Sequence, residues 1–125
     1  VTVLVTTLAL FAADVSPAPV QLGLVDRTRY VSYVCGPRCR ERRRWRRVVR
    51  PYRPWLARVA SCESGGRWHI ATGNGFYGGV QFTASSWRAV GGRGLPHWAS
   101  RLEQSYRAVR LLHLQGAGAW PVCGR

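Results

Sequence analysis

Acidic residues are scarce in this 125-residue chain: five Asp and Glu stand against 19 basic residues, and all 19 are arginine. Lysine is absent, which a GC-rich codon usage explains without further chemistry. Beyond residue 54 there is no aspartate, and no serine sits in a G-x-S-x-G elbow, so a Ser/His/Asp hydrolase is excluded. His69, His97 and His113 stand far apart and none pairs with a cysteine at metal-ligand spacing. No metal and no cofactor are expected. The longest apolar run, VTVLVTTLALFAA at residues 1–13, falls short of the ~20 residues that span a bilayer.

What is present begins with charge. The formal net charge of +14 calls for an anionic partner or surface, whether nucleic acid, acidic lipid or wall polymer, and does not choose among them. Four cysteines suit an oxidised, exported protein with two bridges better than a reduced cytosolic one, which also argues against a cysteine protease. The apolar run has the length of a signal-peptide core but no basic residues before it, and the linker-like DVSPAPV follows it. Export, with a secreted or envelope-associated location, is therefore expected; a short core helix is the competing reading.

Composition divides the chain into a signal-like apolar segment and linker at 1–30, an arginine-rich segment at 31–53 punctuated by Trp45 and Tyr52, and a folded domain at 54–125. The expected fold class is α+β, mainly helical with a short glycine-rich β hairpin. Pro54 suits a first helical turn; Trp55, Leu56, Val59 and Ala60 make an apolar face, and Gly65 and Gly66 end the helix. TGNGFYGGVQF reads as a turn-rich strand pair with a tight turn at Asn74-Gly75. Thr83 caps a short helix that Gly91 and Gly92 stop. Ser100 and Glu103 form a capping box for the longest helix, whose stripe of Leu102, Tyr106, Val109 and Leu112 is core.

The domain offers two carboxylates. Glu103 has a structural task in the capping box. Glu63 falls in a helix's last turn, where the negative end of the macrodipole disfavours its ionised form, the direction a proton donor needs near neutral pH. Trp68, Phe76, Tyr77 and Trp87 together, beside a lone acid, would suit a cleft for sugar rings, whose apolar faces stack on aromatics; each taken alone belongs more readily in a core. A bridge between Cys62 and Cys123 would close a loop of about 60 residues and contribute on the order of 4 kcal/mol. Cys35 and Cys39 are left to pair locally or with another molecule.

CESGGRWHIATGNGFYGGVQFTASSW and the closing AWPVCGR resemble the catalytic domain of the resuscitation-promoting factors, relatives of lysozymes and lytic transglycosylases. The resemblance runs from about Trp55 to Arg125 and leaves residues 1–50 uncovered. It implies a small lysozyme-like domain that cleaves the β-1,4 bond between N-acetylmuramic acid and N-acetylglucosamine in peptidoglycan. By it Glu63 is the catalytic acid, Cys62 and Cys123 the family disulfide, and Trp68, Thr72, Asn74, Tyr77, Gln81, Ser86, Gln115 and Trp120 the substrate-binding set. Ser86 stands where the family has threonine, keeping the hydroxyl. Ala117 replaces a tryptophan common before the closing G-A-W, removing stacking surface.

The partner implied is peptidoglycan, acted on by a monomer, with no specific nucleic acid. The arginine-rich segment reads either as solvated linker or as a device for retention on anionic wall polymers or membrane, with Trp45 assisting at an interface. Two other function classes remain: a non-catalytic wall-binding or signalling module, and a basic nucleic-acid or membrane binder that needs no acid at all.

Overall fold

The computed structural model describes residues 35–125. The export signal read at 1–30 lies outside the described residues.

The arginine-rich segment is helical. Helix α1, Pro37–Val49, starts on a proline, whose missing N–H costs nothing there, and continues through straight-chain arginines that favour helix. Its inner face buries Val49 and half-buries Trp45 and Val48. Trp45 stacks on Tyr106 with ring centroids 5.3 Å apart, so the segment shares a core with the residues after Pro54. A 3-10 turn, Arg50–Tyr52, leads into α2, Arg53–Ser64, with Pro54 in its first turn as expected. Gly65 ends α2 at φ 63°, a left-handed position open to glycine. Its N–H returns to Ser61 O at 3.0 Å and that of Gly66 to Ala60 O at 2.9 Å.

Two short strands follow, β1 (Phe76–Tyr77) and β2 (Phe82–Thr83), antiparallel with Phe76 opposite Thr83 and Tyr77 opposite Phe82. Asn74-Gly75 lies at a turn, but that turn closes the pairing of Ala71 with Tyr77, one step earlier. The β1–β2 pair closes through residues 78–81, because Gly78 supplies the positive φ of 78° needed there. Helix α3, Ala84–Ala89, is capped by Thr83, whose Oγ1 accepts from the Ser86 N–H at 3.1 Å. Helix α4, Arg101–Gln115, follows a 3-10 turn at Pro96–Trp98 and ends at Gly116; a last 3-10 turn spans Ala117–Ala119.

The capping box at α4 is half made. Ser100 Oγ accepts from the Glu103 N–H at 3.2 Å, but the Glu103 carboxylate turns forward to accept from Arg107 Nη2 at 3.2 Å. An arginine one turn on outcompetes a neutral backbone amide for a carboxylate.

The core gathers Leu56 and Val59 of α2, Val80 and Phe82 of the hairpin, Trp87 and Val90, Val109 and Leu111 of α4, and Trp120. Trp87 is 0% exposed, meets Phe82 edge to face at 5.1 Å, and donates from Nε1 to Arg93 O at 3.1 Å. It offers no face to a ligand, which corrects its reading as a cleft aromatic. Both bridges are closed, Cys35 to Cys39 and Cys62 to Cys123. The described residues are α+β and mainly helical, as expected.

One buried polar side chain ties these parts together. Gln104, 0% exposed, accepts from the Gly79 N–H at 2.9 Å and donates to Trp68 O at 2.8 Å and Ala99 O at 3.0 Å. Gln104→Leu keeps the bulk but strands three backbone groups. It is expected to cost about 3 kcal/mol in urea unfolding with disulfides intact, and the Gly79 amide to lose hydrogen-exchange protection first.

Candidate active site

Helix α2 carries Glu63 to its last turn, next to Cys62, whose bridge to Cys123 binds this end of the helix to the carboxy-terminal turn. Glu63 is half-buried, and that burial raises its pKa above the ordinary glutamate value. In a chain with 19 arginines, none of the described ones pairs with it; the ion pair formed among the described residues is Glu103 with Arg107. Nearby Arg67 directs its Nε to Ser64 O at 2.8 Å instead. Glu63 thus has burial pushing it toward the neutral acid and no described cation pulling it back.

Ser64, the next residue, docks the helix end on the hairpin. Its Oγ donates to Gly79 O at 2.7 Å and accepts from the Arg67 N–H at 3.1 Å. The Gly79 peptide is therefore held by Ser64 at its carbonyl and by Gln104 at its N–H. A Cβ at Gly79 would stand 2.5 Å from the Trp68 indole, so glycine is required for the ring to lie on the backbone.

A groove of about 370 Å³ opens between the hairpin, α3 and the end of α4, lined in part by Phe76, Gln81, Thr83, Ser86, Gln115 and Trp120. Its size and mixed lining suit a ligand with apolar faces and polar edges. Gln81 is the one described non-glycine residue at positive φ, 55°, with its Nε2 donating to Gly78 O at 2.9 Å. Such strain costs on the order of 1 kcal/mol or more and marks functional positions. Ser86 Oγ donates to Thr83 O at 3.1 Å and accepts from Thr83 Oγ1 at 3.0 Å, so the hydroxyl is oriented with acceptor capacity to spare. Gln115 is exposed at the end of α4. Trp120 is 3% exposed, and its Nε1 donates to Val80 O at 2.7 Å, so it supports the groove wall more than it stands in the groove.

The structure thus brings Gln81, Ser86, Gln115 and Trp120 together and places the other expected binding residues elsewhere. Trp68 lies between Gly79 and the Arg101 guanidinium, which sits 5.0 Å from the ring centroid, and lines a separate hollow with Arg53 and Arg101. Thr72 and Asn74 bond to each other and to the Phe76 backbone inside their turn. Tyr77 stacks on His97 at 5.4 Å. Glu63 is not part of the groove lining; it connects to it through Ser64 and the turn that carries Gly79 and Gln81. Among the described residues no three His, Cys, Asp or Glu side chains gather as a metal site.

Sequence reasoning missed Ser64 and Gln104. Gln104 had a legible signal, since with Ala108 and Leu111 it keeps the i, i+4, i+7 spacing of the buried face of α4.

Residues 51–123 match the family model described as transglycosylase-like domain. The chain is 66% identical over 68 residues to the resuscitation-promoting factor Rpf of Micrococcus luteus, covering 54% of this chain and 30% of that protein. It is 60% identical over 67 residues to the resuscitation-promoting factor RpfE of Mycobacterium tuberculosis, 54% of this chain and 39% of that protein. To Rpf1 of Corynebacterium glutamicum it is 52% identical over 69 residues, 53% of this chain and 36% of that protein. The chain spans well under half the length of these relatives.

The environment of Glu63 has a consequence for stability. Its folded-state pKa lies above the unfolded value, so its contribution is most favourable at acid pH and is lost as pH rises through the folded pKa. Glu63→Gln is therefore expected to melt above the wild type at neutral pH, with the difference vanishing once pH falls below the ordinary glutamate range. A difference independent of pH in thermal melts would contradict this account.

Proposed function

The chain belongs to the transglycosylase-like family, and on that footing we propose that it cleaves peptidoglycan glycan strands at the β-1,4 bond between N-acetylmuramic acid and N-acetylglucosamine. The observation that carries the reading is Glu63: a half-buried carboxyl with raised pKa and no cation partner among the described residues, joined through Ser64 to the turn beside a groove.

The chemistry follows from a census of acids. Glycosidases that use two carboxylates need them about 5 to 9.5 Å apart across the bond. The other described carboxylates are Glu41, on the arginine-rich helix, and Glu103, held by Arg107. Glu63 accordingly acts alone. As an acid it protonates the glycosidic oxygen while the bond from that oxygen to muramic C1 breaks. The resulting carboxylate then accepts the proton of the nucleophile that attacks C1, which restores the acid. The substrate's own N-acetyl group stabilises the oxocarbenium-like centre. With the muramic C6 hydroxyl as nucleophile the product is a 1,6-anhydro end; with water it is a reducing end. We favour the anhydro route.

Gln81, Ser86 and Gln115 fix the sugars by hydrogen bonds along the groove, and the strained Gln81 backbone holds its amide in one orientation. Two disulfides support a secreted or envelope-associated location, and the role is wall remodelling or resuscitation.

On a peptidoglycan zymogram, Glu63→Gln is expected to lose clearing by at least about 100-fold, the usual share of a general acid, while still sedimenting with sacculi. Sedimentation without clearing by either protein would identify a wall-binding module instead, and equal clearing by both would exclude Glu63 as the acid. Mass spectrometry of muropeptides released from purified sacculi is expected to show 1,6-anhydro ends; hydrated reducing ends alone would exclude that route.

A further inference from the structure

Helix α1 and helix α4 enclose a second concavity, of about 680 Å³, whose lining is dominated by arginine, with Pro37, Trp45, Tyr106 and Glu41 between. Arg40, Arg44 and Arg47 project into it from α1 at intervals of four and three residues, one stripe of the helix, and Arg107 and Arg110 face them from α4. Among the described residues Arg44, Arg47 and Arg110 have no acceptor, and the Nε of Arg107 is buried without one. Glu41 is the one acid in the lining. The concavity runs on. Arg44 and Arg110 also line a neighbouring hollow of about 520 Å³, and Ala89 is common to that hollow and to the groove of Gln81 and Ser86.

We propose that this interhelical channel binds a linear polyol-phosphate polymer, an anionic wall polymer joined by phosphodiester bonds. Three observations select it. Apart from Pro37 in its first turn, the exposed residues of α1 include no aliphatic or aromatic side chain, and half-buried Trp45 is stacked on Tyr106, so the helix has little to insert into a bilayer, which weighs against Trp45 as an interface anchor. The same stacking, with the Arg107 guanidinium 5.8 Å from the Trp45 ring and 5.6 Å from that of Tyr106, leaves no open aromatic platform for bases or for pyranose rings. What remains is a row of guanidinium forks about 4.5 to 6 Å apart along the helix, suited to a flexible chain charged at every repeat. Ala89, common to the second hollow and to the groove, puts such a chain next to the candidate glycan site, so the domain is held on the material that it works. The inference rests on the wall-directed reading for the polymer's source alone; the channel itself is independent of Glu63.

The test is fluorescence anisotropy with labelled poly(glycerol phosphate) on the whole chain carrying Glu63→Gln, which removes turnover. Binding is expected to weaken linearly in log affinity against log salt. Joint replacement Arg40→Gln, Arg44→Gln and Arg47→Gln should lower affinity about tenfold or more, and Arg110→Gln from the facing helix should lower it too. Arg42→Gln, Arg43→Gln and Arg46→Gln together remove the same charge outside the channel and should change affinity by less than about threefold. Equal losses from both triple variants would overturn the proposal in favour of diffuse charge. Equal or tighter binding to phosphatidylglycerol vesicles or to single-stranded DNA would overturn the choice of ligand. Should the first triple variant melt early, Arg40→Lys, Arg44→Lys and Arg47→Lys keeps the charge, and unchanged affinity there would count against fork recognition. In the background with Glu63 intact, lysis of polymer-stripped sacculi by the channel variant should equal that of the unaltered chain. A chain that binds the polymer without lysing sacculi would sink the catalytic reading and leave the channel standing.

Discussion

A single peptide unit, that of Gly79, governs the arrangement of everything around it. Its carbonyl takes the hydroxyl of Ser64 and its N–H goes to the buried Gln104. Through these two bonds the end of α2, the hairpin turn and α4 are registered against one another at the point where Glu63 emerges. Trp68 lies on the same glycine, so no side chain can replace its hydrogen there without displacing an indole. With so few residues available for a core, backbone groups at the site must be satisfied by the same side chains that pack it. This explains why Gln104 can be wholly buried and still make three hydrogen bonds.

Electrostatics divides the molecule into two regimes. The arginines on α1 and the outer part of α4 repel each other, and the channel between them concentrates positive potential. Glu63 pairs with none of the described arginines, and Arg67, four residues on, is turned to the Ser64 carbonyl. A carboxyl that met a guanidinium would ionise and lose its use as an acid. An acid left unpaired among so many described bases is a condition of the proposed chemistry, and the carbonyl acceptor given to Arg67 contributes to it.

Much of the architecture was legible beforehand. Pro54, Thr83, Ser100 and the glycines at 65 and 91 act locally, through φ preference and capping, so helix limits near them followed from the chain alone. Glu63 could be singled out as the candidate acid because competitors were so few. The aromatic residues were another matter: Trp87 and Trp68 have the composition of a sugar platform, yet one fills the core and the other is covered by Gly79 and Arg101. An aromatic ring carries no mark of which neighbour will take its face. The arginine-rich segment was equally ambiguous, since a charged run reads alike whether solvated or folded, and its inner face rests on Trp45, Val48 and Val49.

Identity, spacing and charge of the residues thus established the α+β class, the helix ends and the family to which the domain belongs, and left one candidate acid, because these depend on contacts within a few positions or on simple scarcity. Which aromatics face solvent, which cysteines meet, how Ser64 and Gln104 share one peptide, and that α1 and α4 enclose a cationic channel depend on contacts between residues up to 70 positions apart, such as Trp55 with the carbonyl of Gly124. Those were set when the chain closed on itself, where packing and hydrogen-bond satisfaction over the whole core choose among partners that local chemistry leaves equivalent.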